Sequence, residues 1–121
     1  MRYIVSQQLI DDILENELKG YSFPVKPAYN PRMRANGRTV AVFHPWGQIK
    51  QIKAIEVGKQ DSPDRKFLVD TLLHEYLEAE IFIKQYDEPF YNKLSKSGDY
   101  NRHKWINFKI DEFFNGLEGQ Q

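Results

Sequence analysis

The stretch from Ser62 to Gln85 constrains the fold most, because it reads as one long helix with a well-marked start. Ser62 supplies a capping hydroxyl, Pro63 suits the first helical position, and Asp64 places an acid near the positive end of the helix dipole. An amphipathic helix of this length must bury one face, so the remaining chain has to provide the surface that covers it. With 121 residues in all, the expectation is a single compact domain spanning residues 1–121.

The flanking segments predict what covers that helix. Ser6-Gln7-Gln8-Leu9 opens an N-terminal helix, in which Leu9, Ile10, Ile13, Leu14 and Leu18 recur on one face until Gly20 ends it. Pro24, Pro27 and Pro31 then restrict the next segment to an edge strand or an extended arm. Asn36-Gly37 is a hairpin-turn signal leading into a strand from Arg38 to His44. Pro45-Trp46-Gly47 predicts a second turn, and Ile49 to Val57 a third strand. Tyr86 to Arg102 reads as a loop with one short helical piece around Pro89 to Leu94. A C-terminal helix is expected from His103 to Leu117, with Ile106, Ile110, Phe113, Phe114 and Leu117 in one apolar stripe. The fold class is therefore α+β: an N-terminal helix, a small three-stranded and mostly antiparallel sheet, the long helix, and a C-terminal helix packed across it.

Composition removes several chemistries. The chain has no cysteine, which excludes disulfides, thiolate zinc sites and a cysteine nucleophile together, and agrees with a cytoplasmic location. The N-terminus turns polar at Gln7-Gln8 and does not read as a signal peptide, and no apolar run approaches a membrane span. Formal net charge is +0, yet residues 21–60 hold Lys26, Arg32, Arg34, Arg38, Lys50, Lys53 and Lys59 against Glu56 alone. That region is a candidate polyanion-binding face, and its plainer reading is a set of solvated strand residues opposite the core.

The long helix carries the chemistry. Leu72-Leu73-His74-Glu75-Tyr76-Leu77-Glu78 differs from the H-E-x-x-H pattern only in having glutamate for the second histidine. Residues four apart share a helix face, so His74 and Glu78 can address one ion while Glu75 approaches a water on it. Two histidines and one carboxylate make a known catalytic ligand set, and the second histidine must be His44 or His103. His103 shares a face with Ile106 and Ile110, which would bring it to the long helix; His44 sits at a strand end beside Pro45. The favoured set is His74, Glu78 and His103, with zinc preferred and manganese or iron also compatible with a carboxylate ligand. Each residue has a plainer role as well. Glu75, Glu78 and Glu80 can be a solvated acidic face, His74 a satisfied core histidine, and His103 a helix cap.

The run Asn30-Pro31-Arg32-Met33-Arg34-Ala35-Asn36-Gly37-Arg38-Thr39, the Leu-Leu-His-Glu helix and His103-Lys104-Trp105-Ile106-Asn107-Phe108 resemble the SprT-like metalloprotease domain. The likeness covers about residues 6–115 in element order and implies a zincin-like fold. It implies zinc ligands at His74 and His103, a general base at Glu75, and a peptidase acting through metal-activated water on a peptide or protein substrate. Glu78 departs from the family pattern, the loop before His103 is longer than typical, and no cysteine zinc ribbon is present. The competing expectation is a catalytically inactive module that binds nucleic acid or a protein partner through the basic sheet region, with Arg32, Arg34, Arg38 and Trp46 as its contacts.

Overall fold

Ser6 accepts a hydrogen bond from the Leu9 amide at 3.1 Å and opens the first element, α1 (Gln7–Glu15). The computed structural model describes residues 4–61 and 64–119. Its further elements are β1 (Ala28–Tyr29), β2 (Gly37–Phe43), β3 (Ile49–Val57), α2 (Arg65–Lys84), α3 (Pro89–Lys96) and α4 (Asp99–Gly119). The architecture is α+β, with four helices and one three-stranded mixed sheet. The helix α1 ends earlier than Gly20, because Asn16 closes it: its amide reaches Asp12 O and Ile13 O, and its side chain also donates to Asp12 O at 2.8 Å. Leu18 is nevertheless fully buried beyond that end.

The strand order is β1-β3-β2, which puts β3 in the centre and leaves β2 at an edge. β2 and β3 are antiparallel, from Gly37 opposite Val57 to Phe43 opposite Ile49, with two register shifts that account for the imperfect alternation in the sequence. β1 is only two residues long and runs parallel to β3. Asn36-Gly37 does not form the expected hairpin turn. Instead Gly37 begins β2, and Asn36 is held by Asp61, with Nδ2 donating to Asp61 Oδ2 at 3.0 Å and Oδ1 accepting from the Asp61 amide at 2.9 Å. The hairpin turn lies at Pro45-Trp46-Gly47, where Gly47 has φ 95° and the His44 amide donates to Gln48 O at 2.7 Å.

Asp64 caps α2 by accepting from the Phe67 amide at 2.6 Å; Ser62 and Pro63, expected as cap and first residue, lie outside the described residues. The helix is not one-faced. It packs on β2 and β3 on one side and on α3 and α4 on the other. Leu68, Leu72, Leu73, Leu77 and Ile81 join Ile10 and Ile13 of α1 and Ile106 and Ile110 of α4 in the main core. Ala79 meets Ile52 and Ile55 of the sheet in a second cluster. The segment 86–102 is more helical than its polarity suggests: α3 fills 89–96, and α4 starts at Asp99, after Gly98 with φ 98° breaks the chain direction. His103 therefore sits in the second turn of α4 and does not cap it.

Gly58, at the end of β3, permits the tightest backbone approach. A Cβ there would lie 2.5 Å from Ala35 O and 2.9 Å from Met33 O, both main-chain atoms, whereas nothing lies within 4 Å of a Cβ at Gly20. Gly58→Ala is expected to cost roughly 1–3 kcal/mol and lower the melting temperature by about 5 °C or more, with Gly20→Ala close to neutral. Equal melting temperatures for the two variants would show that the β3 end is not closely packed.

Candidate metal centre

Two helices build the site. His74 and Glu78 lie one turn apart on α2, and the second turn of α4 carries His103 across to them. The imidazole rings of His74 and His103 have centroids 5.3 Å apart. Glu78 Oε1 lies 3.3 Å from His103 Nε2 and 3.8 Å from His74 Nε2. One donor atom from each of the three residues falls within 4.8 Å of the others, the one such His/Asp/Glu cluster among the described residues.

These separations suit a metal ion. Tetrahedral zinc with nitrogen and oxygen ligands at about 2.0–2.2 Å sets neighbouring ligand atoms roughly 3.3–3.6 Å apart, so donors that lie within 4.8 Å of one another need to close by at most about 1.5 Å. The donors have the right chemical character too. Glu78 is buried, and burial is the largest influence on His74, whose pKa it lowers below the usual histidine range so that the neutral, metal-binding imidazole is favoured. The nearby Glu78 charge opposes this without reversing it.

Arg102, which the sequence places at the end of a loop, orients the carboxylate. Its Nε spans both Glu78 oxygens, donating to Oε1 at 3.4 Å and lying 3.3 Å from Oε2, and so fixes the carboxylate whose Oε1 also faces the two histidines, while its Nη2 pairs with Asp99 at 2.8 Å. Arg102 directly precedes His103, so the one helical turn that delivers the histidine also delivers the arginine. Taking α4 to begin at His103 hid that pairing.

Glu75 occupies the other side of the same helical turn, against the sheet. It is 7% exposed, and its Oε1 accepts from Thr39 Oγ1 at 3.0 Å; the same hydroxyl lies 3.1 Å from the Glu75 carbonyl. The lack of a side chain at Gly37 makes room for this, since a Cβ there would lie 3.0 Å from Glu75 Oε2 and 2.9 Å from Thr71 Cγ2. Burial pushes the Glu75 carboxyl up to about 7; the Thr39 bond pulls it down, and the Glu78 charge adds to the rise. A cleft of about 310 Å³ is lined by His74 and Glu75 together, with Gly37, Asp70 and Thr71 also in its walls. Thr39 and Gly37 belong to the motif segment noted in the sequence, but only the register of β2 shows that they face Glu75.

The other candidates lie apart from this centre. His44 stacks on Trp46 at the hairpin corner, with centroids 4.2 Å apart and planes 7° apart, and is not in the cluster. Trp46 is 68% exposed, and Arg32 and Arg34 are exposed in the segment before β2. Arg38 is engaged within the chain, its Nε and Nη2 both 2.6 Å from Glu56 Oε1. No family model, no curated protein and no solved structure matches this chain. No helix of the described residues is long and apolar enough to cross a membrane.

A carboxyl whose folded pKa exceeds its unfolded value binds a proton more tightly when folded, so it weakens the fold as pH rises between the two values. For Glu75 that window runs from the ordinary glutamate value of 4.5 to about 7. In metal-free protein, Glu75→Gln keeps an acceptor for Thr39 and removes the penalty. The variant should match the unsubstituted chain near pH 4 and exceed it in stability by up to roughly 3 kcal/mol at pH 8. Chemical denaturation at the two pH values measures this, and a difference that is the same at both would contradict the burial of the charge.

Proposed function

We propose that this chain is a metal-dependent hydrolase, a peptidase of the SprT-like kind, with His74, Glu78 and His103 as ligands and Glu75 as general base. The observation that carries the reading is the convergence of three donors from two helices beside a cleft holding a buried carboxylate. A bound zinc ion would supply Lewis acidity toward a carbonyl and lower the pKa of a water; manganese or iron could replace it at a carboxylate-containing site.

The chain's own residues do the rest. Glu75, with a pKa near working pH, can take a proton from water and return it to the leaving amine. Thr39 fixes its carboxylate, and Gly37 keeps the approach to it open. Arg102 holds the Glu78 carboxylate in place between α2 and α4 through both of its oxygens. β2 is the edge strand beside this cleft, so an extended peptide that pairs with it would run past Glu75 and His74.

One observation favours a second reading. Arg102 already supplies positive charge to Glu78, so the cluster can persist as an ion-paired structural joint without metal. The chain would then be an inactive module of the same fold, binding nucleic acid or a protein partner through Arg32, Arg34 and the exposed Trp46.

Titrating chelator-treated protein with zinc, manganese and ferrous ions separates the two. The hydrolase reading expects one ion per chain and at least about a hundredfold loss of affinity in His103→Ala. Glu75→Gln should keep the ion and lose about 10²–10⁴ in turnover of an unfolded protein substrate. Hydrolysis unchanged in Glu75→Gln would sink the mechanism, and protein that binds no ion would leave the structural joint.

A further inference from the structure

Residues two apart on a helix point to opposite sides, so Tyr76 and Glu80 face away from His74 and Glu78. There they line a second cleft of about 470 Å³. Its aromatic walls come from several parts of the chain: Tyr21 beyond α1, Tyr76 on α2, Tyr91 on α3, and Trp105 and Phe113 on α4. The rings meet edge to face, Tyr21 against Tyr76 at 5.1 Å and 83°, and Tyr91 against Trp105 at 5.7 Å and 84°. Rings joined in this way leave π faces available to other partners.

Two of those faces already attract cations of the chain itself. Lys84 Nζ lies 5.3 Å from the centre of the Tyr91 ring, and Lys109 Nζ lies 5.9 Å from that of Trp105. Of the two carboxylates in the cleft lining, Glu112 is paired with Lys109 at 3.3 Å, which leaves Glu80 as the acid beside the aromatic walls. Glu80 is not the exposed helix acid its sequence position suggests: its side chain is 17% exposed. Tyr91 Oη donates to Glu80 Oε1 at 2.6 Å and Lys84 Nζ to the same oxygen at 3.0 Å. Oε2 has no hydrogen bond among the described residues. Burial, with the Glu80 charge among the further causes, raises the pKa of Tyr21, Tyr76 and Tyr91, which therefore stay neutral.

We propose that this cleft binds an alkylated ammonium cation, with its methyl groups against the aromatic walls and Glu80 as the counter-charge. Such a group gains from π faces through its diffuse positive charge and loses little hydration on entering, unlike a compact ammonium. The site is separate from the metal centre and does not depend on the hydrolase reading. The cation can be a free small molecule or a trimethylated lysine side chain, which carry the same head group.

The test uses the full chain labelled with 5-fluorotryptophan, whose ¹⁹F spectrum reports Trp105 in the cleft and Trp46 outside it. Choline should shift the Trp105 resonance saturably and leave Trp46 in place. Its uncharged isostere, 3,3-dimethylbutanol, should bind about tenfold more weakly, and Glu80→Gln should weaken choline by a similar factor. A short trimethyllysine peptide that binds more tightly than choline identifies a protein-borne ligand; the reverse order identifies a free one. Equal binding of choline and its isostere to the unsubstituted chain would overturn the proposal. So would a Trp105 resonance that moves with neither choline nor the peptide, or no further than with sodium chloride of equal ionic strength.

Discussion

Helix α2 has packed neighbours on nearly every side, yet Thr71, Glu75 and Glu78 are buried on it along with its leucines. A buried carboxylate must find partners, and the surroundings of α2 are arranged to supply them. Glu75 fixes the edge strand, through Thr39 and the bare backbone of Gly37. Glu78 fixes α4, through Arg102 and His103. The sheet and the last helix therefore meet the same turn of α2 from different directions, and each brings a polar contact to it.

Stability alone does not explain this choice of residues. Buried ion pairs seldom stabilise a fold more than apolar residues of similar volume, so leucine at position 78 could have closed the α2–α4 contact at least as well. The arrangement gains a purpose if the three donors hold a cation. An ion between them would offset the burial cost of the Glu78 charge and leave the two imidazoles neutral, the state that burial already favours for His74. Glutamate at position 78 also makes the ligand set anionic, and Arg102, with its Nε against both carboxylate oxygens, balances part of that charge.

Much of this was legible in the sequence. The long helix, both main strands and the Pro45-Trp46-Gly47 turn follow from periodicity and turn chemistry, and the spacing of His74 and Glu78 places them on one face. Ile106 and Ile110, three and seven positions after His103, place it on the face of α4 that meets α2. Asn36-Gly37 misled because a local turn signal was outweighed by pairing with Val57, a residue distant in sequence. The parallel pairing of β1 has no local signal at all. The start of α4 was hidden by Asp99, Tyr100, Asn101 and Arg102, whose polarity suits a loop as well as a solvated first turn. With that turn went Arg102, and with the register of β2 went the contact between Thr39 and Glu75.

The coordination shell of the metal-loaded protein tests this account most directly. X-ray absorption at the zinc edge, on protein loaded with one equivalent, should show two imidazole ligands and oxygen donors at about 2.0–2.2 Å, with one imidazole lost in His103→Ala. A shell of oxygen alone, or one that His103→Ala leaves unchanged, would contradict a centre built from His74, Glu78 and His103.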